Sequence, residues 1–200
     1  MTTFPAYASA FEFYPQEGEA FEYLSPLLSG LARVQFALCV DDPSVNRGQM
    51  ESDFDEALKK ALLAAGAQPF DLKLPPQIRQ ELDFAFTYGG RKVAVEIEKT
   101  NREKILRDVL KCHMYLHSGA DFAIIGLPKN YPHTGGVWDL FSFGVERFRE
   151  CKTYAFGTAD KLGKILLLGF EQYDAASSQP LSKATRQEMR TRANARLRRD

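Results

Sequence analysis

No stretch of this chain approaches the roughly 20 consecutive apolar residues that a bilayer-spanning helix needs, so no membrane partner is expected. The N-terminus lacks a basic region followed by an apolar one, and a secretory signal is not expected. Cysteine is scarce. Cys39, Cys112 and Cys151 are odd in number and far apart, which fits a reducing cytoplasm rather than a disulfide-stapled secreted domain. No CxxC pair is present. His113 and His117 stand four apart beside Cys112, but no third ligand follows at a usual zinc spacing, so all three read as core or surface residues. There is no internal repeat and no net charge, and the basic excess common among DNA-binding proteins is missing from the total.

The charge is nevertheless unevenly placed. Residues 1–60 hold ten acids against four Lys or Arg, while residues 181–200 hold seven Lys or Arg against Glu188 and Asp200. Apolar residues make up 44% and charged residues 26%, ordinary proportions for a globular protein, and 200 residues suffice for one sizeable core. We therefore expect a single domain over residues 1–180, followed by a basic tail over 181–200. That tail is either a phosphate-binding arm or a solvated terminus.

The most informative stretch runs from Glu81 to Lys99. It reads as two strands joined by a Gly89–Gly90 turn. On the second strand Val93, Val95 and Ile97 alternate with Ala94, Glu96 and Glu98, so a period of two places Glu96 and Glu98 on one face. Asp83 alternates with Leu82 and Phe84 and can project toward the same face. Three carboxylates at that spacing repel unless they are protonated or bridged by a cation, and a divalent metal with hard oxygen ligands is the natural bridge. Glu81 shares the Asp83 face and is either a further ligand or a solvated edge acid.

This order of residues resembles the PD-(D/E)xK nuclease superfamily, in which an Asp opens the site and a hydrophobic-Glu-x-Lys strand completes it. Asp83 matches the Asp and Glu96 the Glu, while Glu98 stands where Lys is usual and Leu82 where the signature Pro is usual. The Glu-x-Glu variant, followed by Lys99, Thr100 and Asn101 and a helix rich in Lys and Arg, is similar to type II restriction endonucleases of the BamHI/BglII branch. The resemblance covers roughly residues 46–128. It implies a restriction-endonuclease-like α/β fold, with a central mixed β-sheet flanked by α-helices, and a single nuclease domain over 1–180. It also implies Mg²⁺-dependent hydrolysis of double-stranded DNA, with Mn²⁺ as a possible substitute, by a homodimer, since cutting both strands needs two sites. Asp83 and Glu96 would bind the metal. Glu98 would be a further ligand or the base that orients water. A repair or junction nuclease on the same scaffold, or a catalytically silent DNA-binding protein, are the alternatives.

The rest of the chain supplies the surroundings. Residues 1–30 are aromatic and acidic, with Phe11, Phe13 and Tyr14 expected on the core or at a dimer surface, and Phe21, Leu24, Leu27 and Leu28 spaced for a short helix. Val34–Val40 reads as a strand. Residues 48–66 carry Ala57, Leu58, Ala61 and Leu62 at helical spacing, stopped by Gly66. Glu51 extends that inward stripe. It is either the helical Glu that joins the metal cluster in many superfamily members or a first-turn carboxylate favoured by the helix dipole. A short strand is expected at Phe70–Leu74. Thr100-x-x-Glu103 forms a capping box for a helix through about His117. Ile105, Leu106, Val109, Leu110, Met114 and Leu116 would cover the sheet, with Arg107 and Lys111 elsewhere on the helix. Lys99, Arg102 and Lys104 are the expected phosphate contacts. Phe122–Leu127 is a buried strand parallel to the Glu96 strand, and Pro128–Gly136 is a loop. Trp138–Glu150 is a helix or strand–helix mix, Lys164–Phe170 a last strand, and Ala175–Pro180 a linker.

Overall fold

The computed structural model describes residues 5–31, 36–39, 47–77, 80–99, 101–133, 136–154 and 159–182, with 184, 185, 187, 188, 191, 192 and 195 in the tail. In chain order the strands and helices are β1 (Pro5–Tyr14), α1 (Glu19–Leu31), β2 (Phe36–Cys39), α2 (Arg47–Ala64), β3 (Gln68–Phe70), β4 (Phe84–Tyr88) and β5 (Arg91–Ile97). A 3₁₀ turn at Arg102–Lys104 leads into α3 (Ile105–His117). Then come β6 (Phe122–Pro128), β7 (Tyr131–His133), β8 (Gly136–Trp138), α4 (Leu140–Thr153), α5 (Ala159–Leu162) and β9 (Ile165–Asp174).

Two glycines set the register on which the candidate site depends. Gly89 and Gly90 have φ of 53° and 82°, the left-handed pair that a two-residue hairpin turn requires. The turn pairs β4 with β5 from Tyr88 opposite Arg91 to Phe84 opposite Val95. One residue further, Asp83 and Glu96 come level. β3 extends the hairpin antiparallel on one side. On the other side β6 runs parallel to β5, and β9 parallel to β6. The seven strands form one mixed sheet in the order β2-β1-β9-β6-β5-β4-β3, and β7 and β8 form a small separate hairpin.

Alternation on β5 sends its residues to two different layers. Val93, Val95 and Ile97 join the cluster under α1 and α2, with Leu24, Leu28, Leu58 and Leu62. Ala94 faces the opposite way, into the cluster built with Ile105, Val109, Cys112 and Leu116 of α3 and Phe141 and Phe148 of α4. Glu96 shares the phase of Ala94 and so lies under α3, where a fully apolar strand would carry another aliphatic residue. β6 is buried on both faces, as a central parallel strand must be.

Several expectations need correction. The aromatic N-terminal stretch contains β1, an interior strand of the sheet; a register shift between Ser9 and Glu12 interrupts the period of two that would have revealed it. Helix α3 is turned so that Leu106 and Leu110 are 42% and 54% exposed, and they do not cover the sheet. The turn before α3 is capped by Asn101, whose Oδ1 accepts from the Glu103 N–H at 2.9 Å; Thr100 lies outside the described residues. β3 ends at Phe70. Within Pro128–Gly136, Tyr131–His133 forms β7 and Gly136 opens β8, while Thr134 and Gly135 lie outside the described residues; Lys129 is paired with Glu12 at 2.7 Å, and the Asn130 amide bridges to Gln172. Beyond residue 174, Leu181 is 1% exposed within the core, and Arg192 reaches back to the buried Asp174. Among the described residues no helix is long and apolar enough to cross a membrane.

Candidate active site

At the C-terminal end of β5 the sheet opens into a cleft of about 180 Å³ lined by Asp55, Asp83, Glu96, Ile97, Glu98, Lys99, Lys104, Arg107, Asp108 and Lys111. The structure therefore brings together Asp83, Glu96 and Glu98, with Lys99 and Lys104 beside them. Arg102 is placed elsewhere: its guanidinium lies 5.9 Å from the Trp138 ring centre and 5.4 Å from that of Phe143. Glu51 lies in the N-terminal part of α2 and its side chain is outside the described residues. Asp55, from the same helix, lines the cleft. Glu81 is exposed and lines the neighbouring groove of about 920 Å³, which shares Asp83 with the cleft.

Each carboxylate is held by the local backbone or by α3. Asp83 has an exposed flank, but its carboxyl turns inward, with Oδ2 accepting from the Ile97 N–H at 2.6 Å. Glu98 follows the last β5 residue, and its Oε1 accepts from the Asn101 N–H at 2.9 Å. Glu96 is held from α3 on both oxygens. Lys111 Nζ sits against Oε2 at very short range, and the Tyr115 hydroxyl donates to Oε1 at 2.5 Å. Around them, Lys99 Nζ is 2.7 Å from Asp55 Oδ1, Lys104 Nζ 3.9 Å from Glu98 Oε2, and Arg107 3.6 Å from Asp108.

Lys111, Tyr115 and Asp108 are the residues that sequence reasoning missed. A signal for them exists. Ile105, Val109, Cys112 and Leu116 form the apolar stripe of α3, and the residue before each one, Lys104, Asp108, Lys111 and Tyr115, forms a second stripe at the same helical spacing. A polar stripe beside an apolar one looks like the start of the solvated face. Only the packing of α3 against β5 buries it.

The electrostatics are unbalanced toward negative charge. Glu96, Glu98 and Asp108 are 3%, 6% and 3% exposed, and among the cations lining the cleft only Lys111, at 7%, is buried to the same degree. Burial pushes Glu96 up to about 7, against the opposing pull of Lys111 and Tyr115. Burial, reinforced by the Glu98 carboxylate, pushes Asp108 up to about 6. Asp83 is also raised, chiefly because its carboxyl end is desolvated. Burial and the Glu96 carboxylate raise the Tyr115 phenol, so it remains a hydrogen-bond donor.

Three buried carboxylates around one buried ammonium make a site whose charge a further cation would complete, and hard carboxylate oxygens suit Mg²⁺ or Mn²⁺. Carboxylate oxygens are the donor type such an ion takes. In the present arrangement, no group of three or more His, Cys, Asp or Glu among the described residues is already gathered to hold one. Cys112 is buried in the core, and burial holds its thiol well above its ordinary value.

Fold and cleft together define an α/β protein whose mixed, helix-flanked sheet carries a carboxylate–lysine cleft at the end of a hairpin strand. No protein-family model matches the chain, and no curated protein matches it.

Proposed function

We propose that this protein is a metal-dependent deoxyribonuclease of the type II restriction endonuclease kind, hydrolysing phosphodiesters of double-stranded DNA as a homodimer. The observation that carries the reading is the convergence of Asp83, Glu96 and Glu98, from two adjacent strands, on one cleft with cations at its rim. Bound there, Mg²⁺ or Mn²⁺ would supply a water of lowered pKa and neutralise charge on the phosphate. Asp83 and Glu96, on adjacent strands of the hairpin, would be its ligands. Glu98, oriented by the Asn101 N–H, would be a further ligand or the base that takes a proton from water. Lys99 and Lys104 stand where a phosphate would enter and offset its repulsion by the carboxylates. A restriction-endonuclease-like core is supported by the same arrangement: an antiparallel hairpin carries the acids, and its second strand continues through a helix into a parallel neighbour.

Plasmid DNA with Mg²⁺, and separately with EDTA, tests this directly. Discrete fragments in Mg²⁺ alone support site-specific restriction, while structure-dependent nicking supports a repair nuclease on the same scaffold. Glu96→Ala should abolish cleavage and strengthen DNA binding in EDTA, because one negative charge beside the phosphate is gone. Full cleavage by Glu96→Ala would overturn the site. Absence of cleavage by the wild type in Mg²⁺ and in Mn²⁺ would overturn the activity.

A further inference from the structure

Glu96 is the acid assigned to the metal above, yet both of its oxygens are already engaged from a single helix, by Lys111 and by Tyr115. The pair is shielded from water, with Glu96 3% and Lys111 7% exposed. Burying an ammonium is costly unless an anion meets it. The other cations of the cleft sit further out: the side chains of Lys99, Lys104 and Arg107 are 15%, 43% and 55% exposed, and each lies by another acid, Asp55, Glu98 or Asp108.

The geometry points to Lys111 as a built-in counter-ion, whose ammonium neutralises Glu96 while the protein is metal-free and gives way when a divalent cation enters. This inference rests on the metal-dependent reading and deepens it by naming the group that competes with the metal. A carboxylate engaged by an ammonium on one oxygen and a phenol on the other offers a divalent ion its remaining lone pairs only beside a like charge. Lysine suits a yielding counter-ion, since its point charge rides on a flexible stem, whereas arginine's planar fork would lock the carboxylate in place. Tyr115 is neutral and can keep its bond to Glu96 throughout, so the carboxylate stays oriented after Lys111 has left. Lys111 is on this account a positioning residue, one that keeps the buried acids folded without metal at the expense of metal affinity.

Mn²⁺ titration of DNA-free protein, following free Mn²⁺ by electron paramagnetic resonance near pH 8, tests it without any cleavage assay. Lys111→Gln keeps a hydrogen-bond donor and removes the charge; it should bind Mn²⁺ about tenfold tighter than wild type. Lys111→Arg keeps the charge and should gain nothing. In the wild type, Lys111 should become more reactive to reductive methylation when Mn²⁺ is added, read by mass spectrometry of its peptide; this measurement needs no variant to fold. Tighter binding by Lys111→Gln together with exposure of Lys111 on metal addition supports the counter-ion. Equal or weaker Mn²⁺ binding by a folded Lys111→Gln, or unchanged Lys111 reactivity when the wild type binds Mn²⁺, overturns it while leaving the metal site standing. If neither form binds Mn²⁺ at millimolar concentration, the metal-dependent reading fails, and this inference with it.

Discussion

Replacing Lys111 by Met keeps the volume of the side chain within the cleft but strands Glu96. The carboxylate would remain 3% exposed with only Tyr115 as a close donor. Breaking a buried ion pair by deleting one partner typically costs about 3–5 kcal/mol, so a loss of about 3 kcal/mol or more is expected in EDTA near pH 8. The cost has a built-in pH dependence. Glu96 already titrates near 7 with Lys111 in place, so without the ammonium its folded-state pKa lies higher still. On acidification Glu96 takes up a proton in both proteins, and the variant then lacks only a bond from an ammonium to a neutral acid. The difference should therefore shrink to about 1 kcal/mol near pH 5. Urea unfolding of both proteins at the two pH values measures it. At roughly 2–4 °C per kcal/mol for a chain of this size, the melting temperature should fall by about 6–12 °C near pH 8 and by much less near pH 5. Equal destabilisation at both pH values would refute the reasoning, since a packing defect does not titrate.

The wild type should itself become more stable on acidification from about pH 8 to about pH 5. Glu96 and Asp108 have raised pKa values, so their contribution is fully present below the unfolded values and is lost as pH rises through about 6 to 7; Asp83 is raised too and acts in the same direction. Asp121 and Asp174 are held low by hydrogen bonds and by Arg91 and Arg192, and their opposing contribution is lost as pH falls below about 4, giving a maximum in between that denaturant midpoints would trace. Gly144→Val would place a Cβ 2.4 Å from Leu127 Cδ1, where α4 crosses β6; the urea midpoint should drop by the equivalent of about 1–3 kcal/mol with an unchanged slope. Light scattering with and without duplex DNA should show twice the 22.6 kDa chain mass, and a monomer in both states would count against a symmetric two-strand cut.

The hairpin was legible because each of its determinants is local. A Gly-Gly pair and a run of alternating residues specify a turn type and a pleat, and the pleat alone puts Glu96 and Glu98 in phase. The α3 crossover and the buried β6 were legible for the same reason, from one helical period and one apolar run. β1 was not, because it lies between β2 and β9, an arrangement decided by pairing with residues about 160 positions away, and its bulge hides the alternation. The basic tail posed a similar problem: composition shows its charge, but only the fold shows Leu181 in the core and Arg192 on Asp174.

The sequence alone determined which acids share a strand face and in what order they meet the helix that follows. Tertiary structure decided what answers them. Lys111 and Tyr115 belong to a stripe that could equally have faced water, and Asp55 reaches the cleft from a helix remote in sequence from the hairpin. The choice was made when Ile105, Val109, Cys112 and Leu116 packed over Ala94 and left Glu96 beneath the neighbouring stripe. Apolar burial orients a helix to within one residue step, and here that step separates a solvated lysine from one buried against a carboxylate.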